Sequence, residues 1–499
     1  MKNTNVWRAS MTMTTKRAVY GLTFGAAILC LAPDARAGDG RLAIKVGRII
    51  TNTGPDIENG TIVIEGGRIK SVGADAKGSW DAEVIDHPEL VAFPGWVEAH
   101  STRGMDRPNE NIEVAPFLDV RDSIDPINFY FEDCLRQGVL AINVQQGSLC
   151  AIGGQGRVVK PFGLTIEDMT LRPSSGVKVA AARPGRSRAL QTQAVRRAFR
   201  DLRMHLEKLV QDKKDGKDTA RREALFQGRD PDKEENKKGR AMDGASTWKV
   251  ADLEMVPRGE VDEKMEPLLR LVEGKLMAFV ACDGAASVTQ ALDIARENGF
   301  LANTVLVLDG DSWKAVDRIA ESGVPVVLAP QLVYVERDPI SGREIETFVP
   351  GVFREKKVRF ALQSQNSSTQ SLWFQAATCV GYGIPREEAI AAATKVPAEM
   401  LRLGDRLGTI ENGRDGNILL LSGDPLAVTT TVQYVVLDGN LVYDRSQDKR
   451  VQQILEGVEQ PNAAPIGVDD PADVDPHSGE KKNGQKKAGE PKKSDEKKD

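Results

Sequence analysis

The spacing of apolar residues divides the chain into regions of different period. From Ala43 to Val72 it is two. Ile44-Lys45-Val46 and Arg48-Ile49-Ile50 alternate, Thr61-Ile62-Val63-Ile64-Glu65 follows, and Arg68-Ile69-Lys70-Ser71-Val72 closes the series. Asn52-Thr53-Gly54-Pro55, Asn59-Gly60 and Gly66-Gly67 punctuate it. Such alternation between turn residues predicts a small antiparallel sheet, with Asn59-Gly60 as a tight hairpin turn.

After Leu90 short apolar runs alternate with segments of helical period. The first run, Leu90 to Phe93, is broken by Pro94-Gly95 and resumes as Trp96-Val97 before Glu98-Ala99-His100-Ser101-Thr102. This reads as a buried strand that presents polar side chains at its C-terminal end. A helix is predicted over residues 124–137, stopped by Gly138, then a buried strand over 139–144 and a loop over 145–156 that holds Gly153-Gly154-Gln155-Gly156. Leu190, Ala194/Val195, Ala198/Phe199, Leu202, Leu206 and Leu209/Val210 recur every three or four residues. That stripe predicts an amphipathic helix over 187–211. The charged stretch 213–244 reads as an exposed excursion, and 265–273 as a helix. Strands are predicted at 276–281, 304–308, 324–328 and 358–362, with helices at 286–298, 312–322, 370–380 and 386–394. The segment 329–357 reads as a long loop. Repeated β-α alternation predicts a parallel (β/α) barrel with its working face at the strand C-termini. Period two returns over residues 407–443, with Asp438-Gly439-Asn440 as a turn.

Composition adds limits. A chain of 499 residues exceeds one small core, and 40% hydrophobic with 28% charged residues is globular with polar extensions. A net charge of −5 argues against a polyanionic partner, and no nucleic-acid motif is present. Lys16-Arg17, the apolar run 18–32 and Ala35-Arg36-Ala37 have the order of a secretory signal. The run is too short to suit a permanent span, so no transmembrane segment is expected after its removal, and the location expected is periplasmic or secreted. Cys134, Cys150, Cys282 and Cys379 lie far apart without a C-x-x-C pattern and read as buried thiols. Beyond residue 459 apolar periodicity ends, and 481–499 is too polar to repay chain entropy.

Phe93-Pro-Gly-Trp-Val-Glu-Ala-His-Ser-Thr102 resembles the first-strand motif of the amidohydrolase superfamily, Pro-Gly-Leu-Ile-Asp-x-His-x-His. Leu407-Gly-Thr-Ile-Glu-Asn-Gly-Arg-Asp-Gly-Asn417 and the hairpin after it resemble the family's C-terminal signature. The loop at Gly153 resembles one that shapes the pocket in imidazolonepropionase-like members. The resemblance implies an α/β fold: a (β/α)8 TIM-like barrel and a composite β-sandwich domain. Residues 1–37 are then the signal peptide, 41–92 with 405–450 the sandwich, 93–404 the barrel with a charged helical excursion at 175–260, and 459–499 a disordered tail.

By the same resemblance the inherited activity is metal-dependent hydrolysis of non-peptide carbon–nitrogen bonds. The family binds its metals through two histidines after strand one, sometimes a carboxylated lysine or a glutamate from a middle strand, two more histidines, and an aspartate after the last strand that is also the general base. This chain has four histidines, His87, His100, His205 and His477. Only His100 falls at a family metal position. Thr102 stands where the second histidine belongs, Ala281 or Cys282 and Asp309 at the two later ones, and Gln365 or a neighbour at the base. Residues 363–370 contain no acid, and a neutral amide cannot take a proton at neutral pH. His100 is therefore expected to be vestigial. Glu98, Thr102, Gln155, Lys160, Cys282, Asp309 and Gln365 are the pocket candidates. The reading is a degenerate amidohydrolase, a pseudoenzyme that needs no cofactor and binds a small molecule or a related amidohydrolase subunit, with oligomerisation left open. The alternative is an active hydrolase with a rebuilt zinc or similar site around His100, using Glu98, Asp309 and Lys160.

Overall fold

The computed structural model describes residues 40–183, 185–227, 256, 258–364 and 371–456. The expected signal peptide, the tail beyond 459, the charged residues 228–255 and Gln365 lie outside them.

Four strands open the described chain: β1 (Arg41–Ile49), β2 (Ile57–Glu65), β3 (Arg68–Gly73) and β4 (Glu83–Phe93). The expected Asn59-Gly60 turn does not form. Asn59 takes a left-handed φ of 48° but stays inside β2. The Gly66-Gly67 pair makes the tight turn instead, with φ of 57° and 77°, values that two glycines adopt without strain.

The next strands are β5 (Trp96–Ser101), β6 (Val139–Val144), β7 (Ile152–Val159), β8 (Thr170–Ala180), β9 (Ala278–Cys282), β10 (Thr304–Leu308) and β11 (Val326–Val327). Segment 329–357 is no plain loop. It contains the hairpin β12 (Val333–Arg337) and β13 (Glu344–Phe348) and the helix Val349–Glu355. Then come β14 (Phe360–Ala361), β15 (Ile418–Leu421), β16 (Val432–Leu437) and β17 (Asn440–Asp444). Two chain ends share one seven-stranded sheet in the order β17-β16-β15-β4-β1-β2-β3. One face of it packs Ile44, Ile62, Ile64, Ile418 and Leu420 together. Its other face, with Phe93, Leu419 and Val435, joins Trp96 and Leu140 of the second sheet.

The second sheet has eight strands in the order β14-β11-β10-β9-β8-β7-β6-β5. Simple β-α alternation fails at one place. β7 runs antiparallel to both β6 and β8, and no helix separates it from β6. Its glycines hid it from a reading by periodicity. The remaining neighbours are parallel. On one face Val280, Leu306 and Leu308 pack against Val195, Phe199 and Leu202 of the helix Arg188–Phe226. That helix runs well past the predicted 211. Its early turns bury an apolar stripe, and its charged continuation keeps the helical backbone. On the other face a single apolar cluster draws on all eight strands, among them Ala99, Ala141, Val158, Phe279, Val307 and Ala361. The two edge strands approach the same segment: Val97 N–H donates to Ala393 O and Leu362 N–H to Ala392 O, each at 2.9 Å.

The helix Phe129–Gln137 starts later than predicted, because Asn128 caps it by accepting from Tyr130 N–H. All four described cysteines are buried free thiols. Among the described residues no helix is long and apolar enough to cross a membrane.

Candidate functional site

Four pieces of the eight-stranded sheet converge. β5 supplies Glu98 and His100, the end of β6 supplies Asn143 and Gln145, β8 supplies Lys178, and the turn after β14 supplies Gln363 and Ser364. Glu98, His100, Asn143, Gln145, Lys178 and Gln363 are all buried.

His100 is held at both ring nitrogens. Nδ1 lies 3.1 Å from Gln363 Oε1, and Nε2 lies 3.0 Å from Lys178 Nζ. A lysine ammonium only donates, so Nε2 accepts and Nδ1 carries the proton it gives to Gln363. Burial and the neighbouring Lys178 charge hold the imidazole well below its usual pKa, while the Gln363 contact opposes them. The ring is neutral at pH 7. Burial also lowers the Lys178 amine to about 8.

Glu98 turns to the other side of the site. Its oxygens accept from Ser364 N–H at 3.0 and 3.2 Å and from Ser364 Oγ at 2.5 Å. Burial raises its carboxyl to about 7, against the Ser364 and His100 N–H bonds that lower it. Asn143 Nδ2 donates to Ala99 O at 2.9 Å, and Gln145 Nε2 to Ser175 Oγ at 2.9 Å. The buried Gln145 Oε1 has no hydrogen-bond partner.

The glycines of β7 explain how these amides fit. A Cβ at Gly156 would lie 2.2 Å from Gln145 Nε2, and one at Gly153 would lie 2.7 Å from Gln146 Oε1 and 3.4 Å from Lys178 Cβ. The Gly153-Gly154-Gln155-Gly156 motif is thus part of a strand, not a loop. Its missing side chains are filled by Gln145 and Gln146.

The other sequence candidates do not gather around His100. Lys160 follows β7, and because β7 is antiparallel its end points away from the C-termini of the parallel strands. Lys160 is ion-paired with Asp438 of the seven-stranded sheet. Asp309 is exposed, and its carboxylate accepts from Gly310 N–H at 2.7 Å. Cys282 packs among the apolar residues on the helix-facing side of β9. Gln155 Oε1 accepts from Ser174 Oγ at 3.0 Å. Thr102 is half-buried just beyond β5. His87 stacks on Tyr434, and His205 accepts from Asp262 N–H, both elsewhere. Among the described residues no three His, Cys, Asp or Glu side chains converge to hold a metal ion. The rebuilt set of His100, Glu98, Asp309 and Lys160 is not assembled.

Lys178 is the residue that the sequence reading missed. Pro173 and Gly176 in Thr170-Leu-Arg-Pro-Ser-Ser-Gly-Val-Lys-Val-Ala180 masked β8. The available signal was a lone lysine inside the apolar run Val177-Lys178-Val179-Ala180-Ala181.

Comparisons with known proteins agree with this architecture. Residues 376–443 match the model of the Amidohydrolase family. Over 77 residues the chain is 36% identical to amidohydrolase tasK of Hapsidospora irregularis, a match that spans 15% of this chain and 8% of that protein. The fold resembles the crystal structure of an amidohydrolase from Thermotoga maritima MSB8, with a TM-score of 0.65 and 24% identity over 81% of this chain and 100% of that one. A zinc-bound adenosine deaminase from Xanthomonas campestris aligns more loosely, with a TM-score of 0.46 and 14% identity over 83% of this chain and 96% of its own. The amidohydrolase resemblance read from the sequence is borne out.

Proposed function

We propose that this chain, which has the amidohydrolase fold and matches that family over residues 376–443, is an exported binding protein that has given up the family's metal chemistry. The eight-stranded sheet is read as a barrel wound on itself. Support comes from the apolar cluster shared by all eight strands and from the Ala392-Ala393 segment bonded to both edge strands.

One observation carries the loss of metal chemistry: Lys178 Nζ lies 3.0 Å from His100 Nε2. A metal-bound water needs several neutral or anionic ligands with free lone pairs. Here the one histidine at a family position spends its lone pair on an ammonium, and that ammonium repels a divalent cation. The donor set does not fit the metal, and no hydrolytic step is derived through it. What the pocket offers instead is a neutral imidazole, a buried cation and several amides, a set suited to holding a small molecule. The signal-like order of residues 1–37 supports a role in the periplasm or outside the cell. A related amidohydrolase subunit is the protein partner this reading admits.

Elemental analysis of the purified chain after zinc supplementation tests the reading. Zinc well below stoichiometric is expected, and stoichiometric zinc overturns it. The alternative of a working hydrolase draws on the family match, and would be established by such zinc together with hydrolysis of an amide substrate.

A further inference from the structure

A pocket of about 280 Å3 opens at the end of β14 away from His100. Gln363 and Ser364 of the His100 site follow that strand, whereas Lys357 to Arg359 lead into it. The apolar lining of the pocket comes from Val358, Phe360, Ala391, Ala392 and Val396.

The exposed charges that border it are Arg354, Lys357, Arg359 and Glu388. Arg354 donates to both carboxylate oxygens of Glu388, at 2.6 and 3.1 Å, and Arg359 donates to Glu399 at 2.5 Å. Those pairs neutralise themselves. Lys357 differs: among the described residues its ammonium has no hydrogen-bond or ion-pair partner. Lys357 also stands where the backbone favours glycine. It is the left-handed residue, φ 56°, that ends the helix Val349–Glu355. Its N–H bonds to Arg354 O and that of Val358 to Phe353 O, each at 3.0 Å. This closing pattern usually takes Gly or Asn at the left-handed position, because a Cβ there crowds the backbone. The lysine forgoes that ease and sets an unpaired cation beside an apolar hollow.

We propose that this pocket binds a small organic anion with an apolar body, of the class of an aromatic carboxylate. The ring covers the apolar lining, and the carboxylate meets the Lys357 ammonium in a charge-assisted pair. An apolar cavity of about 150 Å3 holds benzene, so one ring with its carboxylate fits the space. Ala392, on the pocket wall, accepts from Leu362 N–H at 2.9 Å. The ligand therefore covers the segment bonded to both edge strands, and binding to the folded chain alone raises its stability. The pocket is separate from His100, so the proposal stands whether or not zinc binds there.

Benzoate is the probe. Benzamide has its shape without the charge, and acetate its charge without the ring. Calorimetric titration and thermal shift of the full chain compare the three at equal ionic strength. Benzoate is expected to bind saturably and raise the melting temperature, with benzamide and acetate each about tenfold weaker or more. Lys357→Gly removes the ammonium with the residue best suited to the left-handed backbone, so the fold is retained. It is expected to lower benzoate affinity about tenfold and leave benzamide unchanged. Ala391→Leu fills the hollow and is expected to abolish benzoate binding. Absence of saturable benzoate binding in the wild type, benzamide binding as tightly as benzoate, or unchanged benzoate affinity in Lys357→Gly overturns the proposal.

Discussion

Lys178 Nζ and His100 Nε2 are 3.0 Å apart, and both residues are buried. The contact joins β8 to β5, strands separated by β7 and β6 in the sheet order, so it links strands that are not hydrogen-bonded neighbours. It also fixes the protonation states: the imidazole is neutral with its proton on Nδ1, and the amine is the donor.

That arrangement gives Lys178 a measurable pH signature. Its folded pKa of about 8 lies below the ordinary 10.5. A depressed base contributes stability present above the unfolded pKa and lost as pH falls through the folded one. The shift corresponds to about 3 kcal/mol. Lys178→Met removes this dependence. The difference in unfolding free energy between variant and wild type should therefore move toward the variant as pH is lowered from about 10 to 7, by up to about 3 kcal/mol. The comparison cancels the constant cost of leaving His100 Nε2 without its donor. Urea unfolding at several pH values measures it, and a pH-independent difference would mean that the amine is not desolvated.

Glu98 has the opposite sign. Its carboxyl is raised to about 7 from 4.5. A raised acid contributes stability that is complete below the unfolded pKa and lost as pH rises through the folded one. Glu98→Gln should thus gain on the wild type between pH 5 and 8, by up to about 3 kcal/mol. The same unfolding series reads it. If the variant instead loses ground as pH rises, the Ser364 hydrogen bonds outweigh burial.

Much of the fold was legible because burial imposes period. The alternation at Ile44-Lys45-Val46 is realised as buried, exposed, buried in β1, and the stripe from Val195 to Leu206 faces the sheet. The first-strand and C-terminal motifs carried the amidohydrolase resemblance, and the family model matches over residues 376–443. What escaped were the elements whose glycines and prolines obscure period. β7 and the first half of β8 carry Gly153, Gly154, Gly156, Pro173 and Gly176, and they form a ladder that no local rule predicts. Missing β7 misplaced Lys160, because one antiparallel strand reverses which end faces the pocket. Missing β8 concealed Lys178. Counting absent metal ligands could not reveal the buried lysine that lies beside His100.

The glycine at 156 is needed for space. A Cβ there would approach Gln145 Nε2 to 2.2 Å and Ser175 Oγ to 2.8 Å, and both partners are buried and bonded to each other at 2.9 Å. Gly156→Ala should destabilise the protein by about 1–3 kcal/mol, the usual range for overpacking. Gln145→Ala in the same chain should recover part of that loss, since the clash goes with the amide. Thermal melts of the two single variants and the double variant give the coupling. Strict additivity would show that Gly156 is required for another reason.

The cysteines provide a test of packing across the molecule. Cys134, Cys150, Cys282 and Cys379 are buried and unpaired, and burial raises the thiol pKa of each. The thiolate is the reactive form, so both access and ionisation oppose reaction in the folded state. Cys150 is the thiol whose rise in pKa is smallest, since the others are pushed to about 12 or beyond. Its thiol donates to Glu110 O at 3.4 Å, and the charge of Arg183 partly offsets its burial. With an aromatic disulfide reagent at pH 8, the native protein should react slowly, with Cys150 first, and all four thiols should titrate rapidly once denaturant unfolds the chain. Mass spectrometry after brief labelling identifies the order. Rapid native labelling of Cys282 would show that β9 is open to solvent on its helix-facing side and would overturn the packing described for it.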